Sequence, residues 1–133
     1  MIARNALESV SEQTVADEAQ AVLHDLIEAF QGRDTTAIME CFGAHPVLML
    51  AHIGTPVEGR GAVRRFFERG QRAGLPQGRP SIESVSVRGH DRALVRALSR
   101  NADGMEVRLV AALNKHGERW LITHCHWTAA QRS

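Results

Sequence analysis

Residues 105–127, MEVRLVAALNKHGERWLITHCHW, decide the fold. Two runs rich in Val, Leu, Ile and Trp flank His116-Gly117, the pattern of two strands joined by a tight antiparallel turn. Such a turn pairs Lys115 with Glu118, Leu113 with Trp120, Ala111 with Ile122, Leu109 with His124 and Val107 with His126. Strict alternation then puts Trp120, Ile122, His124 and His126 on one face, and Leu121, Thr123, Cys125 and Trp127 on the other. The first face is largely apolar and carries two imidazoles. That suits either a ligand cavity with a few orienting polar groups or a core with hydrogen-bonded histidines.

Working outward, SIESVSVR (81–88) and RALVRALSR (92–100) read as two further strands, with His90-Asp91 at their turn. The carboxyl half is therefore an antiparallel meander. Val110 and Ala112 lie opposite Val107, Leu109, Ala111 and Leu113, so both faces of these strands are apolar. One face needs helices and the other a partner, and the expectation is a sheet-mediated homodimer.

Upstream, TVADEAQAVLHDLIEAF (14–30) repeats apolar residues at helical intervals, with Thr14 as its amino cap and Gly32 beyond its end. This leaves 1–13 as an N-terminal extension and 14–133 as one domain. Asp34 or Thr35 caps a second helix that turns Ala37, Ile38, Cys41 and Phe42 inward. VLMLAHIG (47–54) is extended. A third helix follows Gly59 or Gly61, with Ala62, Val63, Phe66 and Phe67 on one side and arginines on the other. Gly74, Pro76, Gly78 and Pro80 make a connecting loop placed to cover a pocket. Because no repeating βαβ units separate the late strands, the order is α+β: a curved antiparallel sheet with three helices enclosing a pocket.

Composition supports one self-sufficient core: in the 133 residues 44% are hydrophobic and 23% charged. A formal charge of +1 gives no global attraction to nucleic acid or acidic membranes. Arg60, Arg64, Arg65, Arg69, Arg72 and Arg79 concentrate basic charge, but without interleaved aromatics they read as a solvated helix face. Cys41 and Cys125 have no metal-ligand spacing and read as buried free thiols of a reducing compartment, the cytoplasm. No continuous apolar segment signals export or a membrane span.

Histidine is the abundant side chain suited to proton transfer near neutral pH, and seven are present. His24 sits among polar helix positions, and His90 and His116 lie in turns. His45, His52, His124 and His126 flank or occupy apolar strands and are the chemical candidates. HxH alone is an incomplete metal site, and no HExxH, GxSxG, phosphate loop or dinucleotide fingerprint is present. Neither metal nor cofactor is expected.

AVLHDLIEAFQGRD, CFG, EGRGAVRRFFERG and RWLITHCHWTAA together resemble the SnoaL-like and ketosteroid-isomerase-like part of the nuclear-transport-factor-2-like (NTF2-like) superfamily. The resemblance implies a cone-shaped, cystatin-like α+β fold with an internal cavity, commonly paired through its sheet. It places His45 at the family's catalytic-base position and Leu109 where an oxyanion-supporting acid is expected, and the chain has no Tyr. These departures argue against ketosteroid isomerisation itself. What it implies instead is cofactor-independent isomerisation, cyclisation or dehydration of a small apolar carbonyl compound, with His45 as base and His124 as acid. The implied pocket is lined by Phe30, Met49, Phe66, Leu109, Trp120, Ile122 and His126. The alternative is a non-catalytic small-ligand-binding or homo-oligomeric assembly domain.

Overall fold

The computed structural model describes residues 2–50, 53–73, 79–100 and 104–131, with three helices and six strands among them. Helix α1 spans Ile2–Gln31, α2 Thr35–Glu40 and α3 Arg60–Ala73. The strands are β1 Phe42–Leu50, β2 Ile53–Glu58, β3 Ser81–Arg88, β4 Arg92–Arg100, β5 Met105–His116 and β6 Arg119–Gln131. Helix α1 runs through Thr14 rather than starting there, so from Ile2 onward the segment expected as an extension is part of the same helix.

The corner between α1 and α2 is closed by backbone bonds from Arg33 N to Phe30 O (3.1 Å) and from Asp34 N to Ala29 O (2.9 Å). This is a Schellman motif. Its left-handed residue is Arg33 (φ 55), not Gly32, and Asp34 at once caps α2 by accepting from Ala37 N at 3.1 Å. A single short segment thus ends one helix and starts the next.

The strand order is β2-β1-β6-β5-β4-β3. All neighbours are antiparallel except β1 and β6, which are parallel, so the sheet is mixed and not wholly antiparallel as expected. The reason is topological. The β1–β2 hairpin leaves one edge of β1 open, and the last strand fills it in a direction already set by its own hairpin with β5. That hairpin turns on Gly117, whose φ of 65° suits the first loop position of a two-residue primed turn, with His116 opposite Arg119.

Beside this turn the register is two residues away from the expected one, which keeps the same faces: Lys115 faces Trp120 and not Glu118, and Leu113 faces Ile122 and not Trp120, after which a β-bulge brings His124, not Thr123, opposite Ala112. An extra residue in one strand exchanges the faces of everything beyond it. Trp120 and Ile122 are buried, and past the bulge Cys125 is buried while His124 and His126 are exposed. Thr123 secures the bulge by donating its hydroxyl to Ala112 O at 3.2 Å.

The helix-covered face is built in rows across the strands. Phe42, Ile122, Leu113, Ala93 and Val87 form one; Leu48, Cys125, Ala111, Val95 and Val85 the next; Leu50, Trp127, Leu109, Ala97 and Ile82 the third. Beyond it Val107 and Ser99 lie side by side. Val15, Ala19, Leu23 and Leu26 of α1, Ile38 of α2, and Val63 and Phe67 of α3 complete one apolar cluster with these rows. All three helices therefore contribute to the same side.

Of the six arginines expected on a solvated face, Arg60 is structural. Its guanidinium donates to the carbonyls of Phe42 (2.8 Å), Gly43 (3.0 Å) and Met39 (3.1 Å), tying α3 to the exit of α2. Arg64 pairs with Glu68 and Arg79 with Glu28. The breaker-rich stretch at 74–78 and His52 lie outside the described residues.

Candidate functional site

Alternation and the bulge together sort the sequence-derived site residues. Leu109, Trp120 and Ile122 are buried on the helix-covered face, at 3%, 6% and 0% exposure, and Phe30 and Phe66 are half-buried against the same cluster. Met49 and His126 are neighbours on the opposite face, where Met49 is 41% exposed. His124 shares that open face beside Val47 and Ala112. The expectation that His124 and His126 sit beside Trp120 and Ile122 is therefore corrected: the bulge turns them away. His45 is exposed, two residues before the β1 position next to His124.

His124 Nδ1 lies 3.3 Å from Thr123 Oγ1, whose hydroxyl donates to Ala112 O.

On the helix-covered side, Phe67 is fully buried and its ring lies 6.4 Å from Phe30, 5.4 Å from Phe66 and 5.8 Å from Trp127, each edge-on. Phe66 and Trp127 are themselves 6.4 Å apart. Phe30, Phe66 and Trp127 remain half-buried while the rows behind them contain Cys125, Ala111, Val95 and Ile122, all sealed. The arrangement offers aromatic faces and edges to an apolar guest. Trp127 was missed by alternation because the bulge lies between it and Trp120. Ser99, a buried polar residue of this face at 5% exposure, carried no sequence signal beyond its place in the strand RALVRALSR.

A concavity of about 640 Å³ lies where α1, α2 and the start of β6 meet. Asp25, Glu28, Asp34 and Glu40 line it with Cys41 and Arg119, and Arg119 donates to Glu40 O at 3.3 Å. Burial, aided by Asp25 and Glu40 and opposed by Arg119, pushes the Cys41 thiol up to about 11. The thiol stays protonated near neutrality and is not a nucleophile there. Burial pushes Cys125 up as well. Among the described residues no group of His, Cys, Asp and Glu is arranged to hold a metal ion, and no helix is long and apolar enough to cross a membrane.

The sequence profile of the SnoaL-like domain matches residues 23–126. Among solved structures, a ketosteroid isomerase-like protein from Erwinia carotovora atroseptica SCRI1043 is similar with a TM-score of 0.71 at 14% identity, over 88% of this chain and 97% of that one. An NTF2-like protein of unknown function from Pseudomonas putida KT2440 is similar with a TM-score of 0.71 at 20% identity, over 89% and 88%. A cystatin-like fold protein from Burkholderia xenovorans LB400 gives 0.74 at 18% identity, over 90% and 95%. Among curated proteins, no sequence matches. At these identities the structures speak for the fold alone. The profile match, which runs from Leu23 in α1 to His126 in β6, makes the chain a member of the SnoaL-like family with the NTF2-like, cystatin-like α+β fold.

Proposed function

We propose that this domain binds a small, mainly apolar ring compound against Phe30, Phe66 and Trp127, and does so as a homodimer paired through the open face of its sheet. The observation carrying the reading is that these three large rings stay half-buried together around the sealed Phe67, beside the sealed Cys125 and Leu109. Large apolar side chains are what a small-molecule site is chiefly lined with. The dimer is supported by the open face, where Val47, Met49, Leu94, Leu98, Val110 and Ala112 gather with no helix over them. The two buried free thiols fit a reducing compartment such as the cytoplasm.

A catalytic version, with His45 and His124 acting as base and acid on a carbonyl compound, requires the ligand to reach two exposed imidazoles, one of them on the opposite face from the aromatic cluster. No observation favours it over binding alone.

The test is a titration of ¹⁵N-labelled protein with 1-indanone, read at the two tryptophan indole N–H resonances. Trp127 should shift and saturate, Trp120 should stay still, and Trp127→Ala should weaken binding at least tenfold. Trp120 is the built-in control because its indole donates to Glu18 at 2.7 Å, at the other end of the sheet. Unmoved resonances, or equal shifts at both, overturn the proposal.

A further inference from the structure

The aromatic site makes no use of His124 and His126, and these two residues stand at the centre of the open face. In the order β2-β1-β6-β5-β4-β3 the middle of the sheet falls between β6 and β5. Along β6 the two histidines flank Cys125, which has six residues of the strand on either side. Their neighbours in the rows are apolar: His124 lies between Val47 and Ala112, and His126 between Met49 and Val110. Both rings are exposed in the single chain. Of the arginines on the same face, Arg100 is matched by Glu106 at 3.2 Å and Arg108 by Glu83 at 3.6 Å.

Two copies that pair through this face are related by a two-fold axis, and whatever stands at the axis meets its own copy. Sheets packed face to face lie about 10 Å apart, so side chains of histidine length reach the midplane from both sides. A dimer that covers the open face therefore gathers four imidazoles and takes them out of water. Their row neighbours carry no acid, hydroxyl or amide on the side chain, and a buried ring nitrogen without a partner is costly. His124 Nδ1 already lies 3.3 Å from Thr123 Oγ1, which leaves Nε2 to reach outward. One ring nitrogen held from behind while the other faces outward is the arrangement of a metal-ligating histidine. Alternate positions on one face of a strand are about 6.8 Å apart at Cα, within reach of two imidazoles that bind one ion at about 2.0–2.1 Å. Among the described residues one chain holds no group of three His, Cys, Asp or Glu able to hold a metal. The second copy supplies the missing half.

We propose that His124 and His126 of two copies together form one four-imidazole site for a divalent transition-metal ion of the zinc kind, at the centre of the interface. The site rests on the homodimer reading and adds to it a ligand and a use for the HxH spacing. Four nitrogen donors suit zinc in a closed tetrahedral site, which holds the pair together and leaves no position open for a substrate. The HxH that is incomplete in one chain is complete in two.

The experiment takes tag-free protein stripped with a chelator, titrates it with zinc sulfate by calorimetry and follows its mass by light scattering across a concentration series. Zinc should bind at one ion per two chains and lower the dissociation constant of the dimer at least tenfold. Because one substitution removes two ligands from the dimer, His124→Gln and His126→Gln should each abolish that binding, while His116→Gln, at the end of β5, should keep it. All three side chains are exposed, and circular dichroism should show each variant folded as wild type. A wild-type dimer that takes up no zinc, a stoichiometry of one ion per chain, or zinc binding that survives either His124→Gln or His126→Gln overturns the metal site while the dimer reading stands. A chain that stays monomeric at every concentration, with zinc and without it, overturns both.

Discussion

Residue chemistry in this chain gives an unusually open view of alkaline titration, because Lys115 is its single lysine and there is no tyrosine. Between pH 9 and 11 the two thiols, which ordinarily ionise at the lower end of that range, are the groups whose burial sets the alkaline response. Cys41 is raised from 9.0 to about 11, and Cys125 is raised further by complete burial. A raised thiol pKa means that the folded state holds protons that the unfolded chain releases, so the stabilisation is intact below pH 9 and is lost as pH climbs toward 11. Denaturant midpoints should fall across that window in wild-type protein, and the fall should flatten in the Cys41→Ala, Cys125→Ala double variant. An unchanged slope would place the alkaline sensitivity elsewhere. The buried free state of both thiols was legible in the sequence, since one lies in an apolar helical stretch and the other in an apolar strand. The role of Arg60 was not. It depends on three carbonyls brought together only by the fold.

Among elements, the strands were the most readable, because the apolar runs on either side of His90-Asp91 and His116-Gly117 form β3 to β6, with the second turn one residue further on at Gly117-Glu118. The parallel pairing of β1 with β6 was hidden because it follows from the path of the whole chain. The bulge was hidden because a single inserted Thr leaves the composition of β6 unchanged. Its effect on the site is nevertheless large: one residue decides whether His124 or Cys125 faces the core. Deleting Thr123 leaves Ile122 inward, His124 outward, Cys125 inward, His126 outward and Trp127 inward in strict alternation, so the core rows keep their places and only the bulge and its hydroxyl bond to Ala112 are lost, at about 1 kcal/mol. Chemical denaturation measures it. A loss as large as that of truncating a core aromatic would show that the extra residue is itself needed for the packing of β6.

At the scale of the molecule, three helices on one side leave a six-stranded sheet with a bare second face. That face is mixed in character. Val47, Met49, Leu94, Leu98, Val110 and Ala112 are interrupted by His124, His126, Arg96 and Arg108, so it resembles a wet interface more than a core. Strands spaced about 4.8 Å apart give six of them a face roughly 25 Å across, of the order of the ~800 Å² per partner that a stable complex buries. Two adjacent residues of β5 separate packing from pairing. Leu109, at 3% exposure, faces the helices, and Val110 faces out. Leu109→Ala should cost about 2–5 kcal/mol of folding stability through the cavity it leaves. Val110→Lys should leave the fold's cooperativity intact but add a charge beside Arg96 and His126, converting a particle of twice 14.6 kDa into one of 14.6 kDa. Light scattering across a concentration series reads the second effect and thermal melting the first. A wild-type protein that is monomeric at every concentration, or a Val110→Lys variant that still pairs, excludes this face as the interface between copies.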